Sequence, residues 1–347
     1  MLKLSNCGNL KQKFLLLKNL GSKEVKREMF RKVYPLFMRT VTSLHVGSGN
    51  DLGLVDLPVQ RERHTGFPKI EGSSLKGGVR ESFELKAEQM KEEEKKGAEM
   101  KKKIEAVFGP EDAGGEGFMG AAGFTDARIL FFPVRSARGV FAYLTSPYVL
   151  KRMADDFSVL EPAMREGVVF PGWESLQIGS GEILLGSATE SALVIRSGNQ
   201  NQVVLEEYPF RARGEERISS WADKIAPLLG LEPAWFKKRV AVVSDDDFAD
   251  FVKNSTEVVT RIRIDSATGT VKEGALFNEE YVPSETVFYS LLLVGTNHFR
   301  KEEQKLFGSE DEVFEFLKTN LSAVLQIGGN ATIGKGITRV HLASSVA

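Results

Sequence analysis

One carboxylate near the start of the chain lies among imidazole and guanidinium groups. Asp56 follows the glycine-rich stretch 46–53, His45 precedes that stretch, and the string Arg-Glu-Arg-His occupies residues 61–64. A carboxylate beside a phosphodiester can bind a divalent cation, or orient or deprotonate an attacking hydroxyl, and a histidine can protonate the leaving oxygen. The segment is therefore a candidate for phosphodiester cleavage. The competing interpretation of a lone loop aspartate is an Asx turn or a helix cap.

A second cluster combines small residues with two cations. The stretch 72–74 reads Gly-Ser-Ser, and a turn of this kind at the start of a helix leaves backbone amides free for an anion. Lys76 and Arg80 are one helical turn apart on the same face. Residues 61–80 hold five Lys or Arg against two Glu, which makes the stretch locally positive. It predicts a patch that grips a nucleic-acid backbone; the alternative is a capped helix with a solvated basic edge.

The closing glycine cluster nearly spells a nucleotide-binding P-loop. Gly334-Lys335 lies at the correct spacing from Gly329, but Gly336 occupies the position where Ser or Thr would hold magnesium. Only eleven residues follow, too few for a nucleotide domain, so we reject nucleotide binding. A backbone that can approach a phosphodiester closely remains, with Lys335 and Arg339 to supply charge. A tight turn with glycines required for packing is the equally open alternative.

Composition limits the remaining possibilities. The chain has 347 residues, 42% of them apolar and 27% charged, which is typical of a soluble globular protein of one or two domains. The single cysteine and four scattered histidines exclude a disulfide framework and a Cys-rich zinc site. No apolar run reaches the length of about eighteen residues that a membrane span needs. The 46 Lys and Arg residues against 47 Asp and Glu give a net charge of −1, so nucleic-acid binding must come from local patches.

The elements that position these groups alternate irregularly. Strand patterns occur at 34–43, 124–132, 257–264 and 286–294. Helical patterns lie among them, at 77–85, 218–229, 246–253 and 310–320. The absence of a regular βαβ period predicts an α+β fold. Residues 84–105 carry seven Lys and seven Glu and predict a solvated helix in an insertion. The triplet Asp245-Asp-Asp247 is interpreted as a helix N-terminus.

Several strings, in this order, resemble the RAMP superfamily of CRISPR-associated proteins. They are His45–Gly49, Gly53–Pro68, Gly72–Gly77, Thr125–Arg128, Phe132–Ser136 and Leu325–Gly336. More narrowly, the chain from about Tyr34 to Val340 is similar to the fourth, repeated backbone subunit of type III-B Cmr effector complexes. Residues 1–33 fall outside the resemblance and are interpreted as an N-terminal extension, either frayed or translated from an upstream start codon.

The resemblance implies a fold and a task. The fold is α+β, a single domain over 34–347 with a ferredoxin-like (RRM-type) palm, a helical fingers insertion at about 84–120 and a β-hairpin thumb at 185–215. Several copies would assemble as a helical backbone on one crRNA, together with other Cmr subunits in the cytoplasm and without a membrane. Each copy would cut the paired single-stranded target RNA once, at regular intervals, with a divalent metal ion, Mg or Mn, as the cofactor.

The resemblance also implies roles for particular residues. The family's essential carboxylate falls on Asp56, which is also the expected metal ligand, and His45 and Glu280 join it as catalytic candidates. The expected RNA contacts, including those with the guide, are Ser74, Lys76, Gly77, Arg80, Gly328, Gly329, Lys335 and Arg339. Since the aromatic motifs of a true RRM are absent, base stacking on the sheet is not expected.

Two alternatives stay open at this stage. One is a metal-free RAMP ribonuclease that matures precursor crRNA with a catalytic histidine. The other is a backbone subunit that holds RNA without cutting it. The related type III-A backbone subunit is disfavoured by the string at 61–68, Arg-Glu-Arg-His-Thr-Gly-Phe-Pro.

Overall fold

The structure is a computed structural model. It describes residues 30–49, 53, 55–90, 94–111, 118–198, 200–296 and 306–343. The expectation for residues 1–33 lies outside the described residues except at its end, where the first strand already begins at Lys32.

Most of the strands join one sheet. Their bounds are β1 Lys32–Thr40, β2 Lys69–Ile70, β3 Ala122–Phe124, β4 Ala127–Arg135, β5 Phe141–Thr145, β6 Glu182–Leu185, β7 Ile195–Ser197, β8 Gln200–Leu205, β9 Tyr208–Gly214, β10 Val240–Val242, β11 Glu257–Ile264, β12 Val271–Tyr281, β13 Val287–Val294, β14 Val324–Gln326 and β15 Ile337–Leu342. Among the described residues, thirteen strands form a sheet in the order β14-β15-β1-β13-β4-β5-β10-β6-β9-β8-β7, with β2 beside β4 and β3 beside β13.

The helices connect these strands. They are α1 Gly72–Gln89, α2 Glu94–Phe108, α3 Pro147–Asp156, α4 Pro162–Val168, α5 Glu216–Leu228, α6 Pro233–Lys237, α7 Asp245–Asn254 and α8 Glu310–Asn320. Since β5 pairs with β10 and β6 with β9 in parallel while the other neighbours are antiparallel, the sheet is mixed. The predicted α+β class is thereby confirmed. None of the helices in the described part of the chain is both long enough and apolar enough to span a bilayer.

Local sequence explains the central elements. In β1 every residue from Pro35 to Thr40 is buried, and β13 and β15 pair with the strand on its two edges. Helix α1 buries Leu75, Val79, Phe83 and Ala87, a stripe at four-residue spacing. The stripe fixes which face of α1 packs on the sheet and leaves the opposite face to solvent.

Helix α1 begins earlier than the predicted residue 77. The Gly72 amide donates to Asp126 Oδ1 at 2.9 Å, so the Gly-Ser-Ser stretch forms the first turn of the helix. A Cβ on Gly72 would lie 2.5 Å from the Phe124 carbonyl oxygen, which explains the glycine there. The first amide of the helix is therefore already occupied by a carboxylate of the same chain.

The two expected insertions have different structures. Of the predicted helical stretch 84–105, residues 84–89 lie in α1 and residues 94–105 in α2, whose Met100, Ile104 and Val107 pack on the core. Residues 185–215 contribute β7, β8 and β9 to the main sheet. The strand pair that stands apart from this sheet is the β11–β12 hairpin. A period-two pattern predicts a strand but not its partner, so the sequence alone did not separate these two hairpins.

A buried ion-pair network lies under the turn at 61–66. The Glu62 and Arg152 side chains are only 7% and 8% exposed, and Arg152 Nη1 lies 2.6 Å from Glu62 Oε2. Thr65 Oγ1 donates to the same carboxylate at 2.6 Å. Beside them, Arg128 Nη1 lies 2.8 Å from Asp156 Oδ2. This network ties the turn to α3 and β4.

Candidate nucleic-acid interface

Asp56 lies on an exposed loop that pairs with the hairpin strand β12. Leu57 N donates to the Asn278 carbonyl and Glu280 N donates to the Leu57 carbonyl, each at 3.0 Å. Asp56 Oδ2 accepts a hydrogen bond of 2.7 Å from Asn278 N. The other carboxylate oxygen, Oδ1, accepts nothing from the described residues, and the side chain is exposed. One oxygen is thus fixed by the backbone and the other is available to a ligand.

Glu280 is buried and holds the loop from below. Its Oε2 accepts from Val59 N at 3.0 Å, and its Oε1 accepts from Thr256 Oγ1 at 2.7 Å and from the Arg61 guanidinium. The residue is only 5% exposed. Its carboxylate is therefore engaged by three donors of the chain itself and faces away from solvent.

His45 is buried next to the same strand. Its Nδ1 donates to the Glu280 carbonyl oxygen at 2.7 Å, and its Nε2 faces a carboxylate. Nε2 lies 3.5 Å from Glu279 Oε1. The His45 carbonyl accepts from Gly329 N at 2.9 Å. The histidine consequently joins β12 to the closing glycine loop.

A polar cluster beside His45 was not predicted from the sequence. Glu279 accepts hydrogen bonds from Tyr281 Oη at 2.6 Å and from Asn330 Nδ2 at 2.6 Å, and it forms an ion pair of 2.6 Å with Arg261 Nε. Burial opposes ionisation of Glu279, but these hydrogen bonds and the charges of His45 and Arg261 outweigh it and lower the pKa of the carboxyl. Glu279 and Tyr281, two polar residues at alternate positions of β12, were the available signal.

The same contacts act on the phenol of Tyr281. Burial and the hydrogen bond to Glu279 raise the pKa of Tyr281. Lys335 Nζ lies 4.6 Å from the centre of the Tyr281 ring, a cation–π distance. The predicted RNA-binding lysine is thereby connected to the base of the β11–β12 hairpin.

The closing glycine loop runs from β14 to β15 and is a tight turn that requires its glycines. Gly328 and Gly336 have φ of 79° and 77°. A Cβ would lie 2.3 Å from the His45 carbonyl oxygen at Gly328 and 2.0 Å from the Ile327 carbonyl oxygen at Gly336. A strand follows the loop where a P-loop would need a helix, so the loop does not have P-loop geometry. Gly328 and Gly329 are exposed and open to a ligand.

The basic residues of α1 fall into two kinds. Lys76 is half-buried, and its ammonium forms no hydrogen bond or ion pair with any described residue. Burial and the nearby charge of Arg80 lower the pKa of Lys76. Arg80 donates to Glu84 Oε1 at 2.6 Å and to the Gly109 carbonyl at 3.0 Å, so it also links α1 to α2. Among the described contacts of α1, Arg80 is thus paired with a carboxylate, whereas the Lys76 ammonium has no partner.

The structure brings most of the predicted site residues to one region. His45, Asp56 and Glu280 meet at β12, and the His45 carbonyl adds the Gly328–Gly329 turn. Helix α1 approaches the same loop, since a Cβ on Gly78 would lie 3.1 Å from the Gln326 carbonyl oxygen. The remaining candidates on these elements are half-buried Ser74, exposed Gly77 and exposed Arg339 on β15.

The described residues alone do not make up a complete metal site in this region. In the part that the structure describes, no three His, Cys, Asp or Glu residues are grouped so as to hold a metal ion. Asp56 Oδ1 can contribute one hard oxygen ligand. Magnesium in phosphate-transfer sites is held by one or two carboxylates with substrate phosphates and water, so a single carboxylate fits that cation when RNA is bound.

The fold and the arrangement of these residues define a RAMP protein. The chain belongs to the RAMP superfamily, whose family model matches residues 37–339. Over 314 residues it is 40% identical to the CRISPR system Cmr endoribonuclease Cmr4 of Pyrococcus furiosus, covering 90% of this chain and 96% of that protein. The resemblance stated from the sequence strings is confirmed.

Solved structures agree with this assignment. The crystal structure of oligomeric Cmr4 from Pyrococcus furiosus aligns with a TM-score of 0.62 at 32% identity, over 91% of this chain and 99% of that one. A chain in the cryo-EM structure of the type III-B Cmr-beta complex bound to cognate target RNA aligns with a TM-score of 0.63 at 24% identity, over 92% and 100% of the two chains. The second likeness concerns the fold.

Proposed function

We propose that this chain is the repeated backbone subunit of a cytoplasmic type III-B CRISPR effector complex. In this role it binds crRNA, assembles with further copies of itself and other Cmr subunits, and cuts the paired target RNA endonucleolytically. The observation that carries the proposal is the exposed Asp56 carboxylate, which is fixed to β12 by one oxygen. Strand β12 contacts the Gly328–Gly329 turn through His45, and α1 packs beside the same glycine loop. The 40% identity to a protein named a Cmr endoribonuclease supports the same activity.

The near-neutral charge of the chain fits this task. An RNA-guided complex leaves sequence recognition to base pairing, so its protein subunits need only contact the backbone and the shape of the hybrid. Exposed glycines at 328 and 329 permit close approach to phosphates, and Lys76 offers an unpaired cation. These contacts hold the guide without requiring a polycationic chain.

The geometry of Asp56 suits deprotonation of a ribose 2′-hydroxyl. With Oδ2 held by Asn278 N, Oδ1 can accept the 2′-hydroxyl proton while the 2′-oxygen attacks the adjacent phosphorus. The P–O5′ bond then breaks, and the 5′-oxygen leaves with a proton taken from solvent. The products are a 2′,3′-cyclic phosphate and a 5′-hydroxyl. His45 and Glu280, both buried and engaged, support the loop from beneath.

A divalent cation, Mg or Mn, completes the proposed site, with Asp56 as its protein ligand. When bound, such an ion neutralises charge on the phosphate that is attacked. The chain's own part is to present one free carboxylate oxygen beside the RNA and to leave room for phosphate and water ligands. Asp56 meets both conditions because its side chain is exposed.

We further propose that the β11–β12 hairpin, residues 257–281, is the thumb, in place of 185–215, and that the central strands of the main sheet form the ferredoxin-like palm. The hairpin is separate from the main sheet. It exposes apolar side chains that face each other across its strands, and these include Ile262 and Leu276. Leu276 lies two residues from Asn278, which places this exposed apolar pair roughly 7 Å along the strand from Asn278, where Asp56 is bonded.

Cut mapping on a reconstituted complex tests the proposed activity. The complex is assembled with guide and end-labelled target RNA, and cuts are mapped with and without EDTA. We expect cuts at regular intervals that disappear with chelator and return with added Mg or Mn. Cutting of precursor crRNA that is insensitive to chelator would favour the maturation ribonuclease, and an assembled complex that binds target without cutting would reduce the chain to a scaffold.

Lys76→Ala is expected to weaken guide RNA binding by about tenfold at low salt, because an RNA phosphate loses the half-buried ammonium that binds it. The slope of log affinity against log salt should become shallower by about 0.7, the value for one contact on a single strand. Filter binding over a salt series measures both quantities. Lys86→Ala is the matched control, since that lysine lies on the same helix and donates to the Asn320 carbonyl at 2.6 Å. Equal affinities for the Lys76 variant and the parent would refute the contact.

A further inference from the structure

We infer that Arg61 and Thr256 are positioning residues for target cutting. Both act through the buried carboxylate of Glu280, and together the three side chains form a clamp that fixes the loop 56–61 on the β11–β12 hairpin. The inference rests on the proposed cutting role of Asp56, which this loop carries. The sequence pattern placed Arg61 in the candidate segment around Asp56 without giving it this role, and it did not single out Thr256.

The clamp holds the loop at several points after Asp56. The Glu280 backbone amide donates to the Leu57 carbonyl at 3.0 Å, and its Oε2 accepts from Val59 N at 3.0 Å. Its Oε1 receives the Arg61 guanidinium. A single glutamate therefore bonds the loop at every second residue from 57 to 61, in the manner of a neighbouring strand.

Thr256 and Arg61 connect the clamp to two other elements. Thr256 lies between the end of α7 at Asn254 and the start of β11 at Glu257, and its hydroxyl donates to Glu280 Oε1 at 2.7 Å. Arg61 Nη1 also donates to the Gly66 carbonyl at 2.7 Å, which closes the turn at 62–66. The hairpin base, the turn and the Asp56 loop thus share one buried acceptor.

The burial of Glu280 decides between a positioning role and direct contact with RNA. Its side chain is 7% exposed and its two oxygens accept from three donors. A carboxylate in this state has no oxygen directed to solvent, where RNA would lie. It can influence the reaction by fixing Asp56, and displacement of a catalytic group by about 1 Å can cost on the order of 100-fold in rate.

The decisive variant is Thr256→Val in the assembled complex. Valine keeps the shape of the side chain and removes one donor to the buried carboxylate, a loss that corresponds to about a tenfold decrease in rate. We expect this decrease in the single-turnover cutting rate at saturating target, with the dissociation constant of the target unchanged. Thr256→Ser, which keeps the hydroxyl, should restore most of the rate.

A second variant tests the arginine. Arg61→Lys keeps the charge but cannot bond both the Glu280 carboxylate and the Gly66 carbonyl in the same way, because an ammonium lacks the planar fork of a guanidinium. The cutting rate should fall by about tenfold, while the salt dependence of target binding stays that of the parent. A shallower salt slope in an Arg61→Ala variant would instead show a direct phosphate contact and would overturn the positioning role.

Thr145→Val is the matched control. The Thr145 hydroxyl is buried and has no hydrogen-bond partner in the part of the chain that the structure describes. The same chemical change there should leave cutting at the parent rate.

The clamp is refuted if Thr256→Val cuts like the parent, if the serine variant is as slow as the valine variant, or if target affinity falls in proportion to the rate. Asp56→Ala is measured in the same assay. Normal cutting by that variant would refute the proposed function itself. An inactive Asp56→Ala together with a normal Thr256→Val would refute the clamp alone.

Discussion

Asp56→Ala is expected to reduce target RNA cutting by roughly 10²–10⁴-fold, the range that a positioned general base contributes. Guide binding and assembly of the complex should remain intact. The reason is structural: Asp56 is exposed, and the one hydrogen bond that its side chain makes with the described residues comes from the backbone amide of Asn278 in the hairpin. Removing the side chain leaves the backbone bonds of Leu57 and Glu280 in place. Single-turnover cutting by complexes of verified composition measures the effect.

Two companion variants sharpen this prediction. Asp56→Asn keeps the acceptor for Asn278 N but cannot carry the negative charge, so a loss as large as that of the alanine variant would show that the ionised form is needed. Asp223→Ala removes an exposed carboxylate that is paired with Lys237 at 2.7 Å, and it should cut at the parent rate. Assembled Asp56→Ala complexes that cut normally would contradict the assignment of this carboxylate.

The sequence predicted those elements whose boundaries are set by neighbouring residues. The helix at 310–320 was predicted with its observed bounds because Ser309 caps it and the pattern inside is periodic. The acidic triplet at 245–247 begins α7 for the same reason, with Ser244 as the cap. In both cases the signal lies within one or two turns of the chain, where spacing alone is informative.

Contacts between distant segments were beyond the sequence pattern. The pairing of His45 with the backbone of Glu280 joins residues 235 positions apart, and nothing in either segment specifies the other. The Glu279–Tyr281 cluster was missed for this reason, since charged residues in a strand resemble a solvated edge until the partner strands are known. The glycine loop was left between two interpretations; the close backbone contacts of Gly328 and Gly336 support the packing interpretation, and the approach of a phosphodiester stays a prediction.

The second large effect concerns stability. Arg152→Ala is expected to lower the free energy of unfolding by about 3–5 kcal/mol, because it leaves the buried Glu62 carboxylate without its main counter-charge. Arg152 Nη1 lies 2.6 Å from Glu62 Oε2, and the guanidinium also lies 5.5 Å from the centre of the Tyr148 ring. Urea denaturation of the purified chain, followed by circular dichroism, measures the change.

The exposed pair Arg135–Glu206 provides the matched control, since its N···O distance of 2.9 Å is similar but the Arg135 side chain is 68% exposed. Arg135→Ala should lower the free energy of unfolding by no more than about 1 kcal/mol, because solvent screens that pair.

A double variant distinguishes the effect of the unpaired charge from the effect of lost packing. Arg152→Met with Glu62→Gln removes both charges and should recover most of the free energy of unfolding. Equal losses for Arg152→Ala and Arg135→Ala would show that burial does not set the strength of this pair. A double variant as unstable as Arg152→Ala would show that the arginine stabilises the turn at 61–66 through packing and not through its charge.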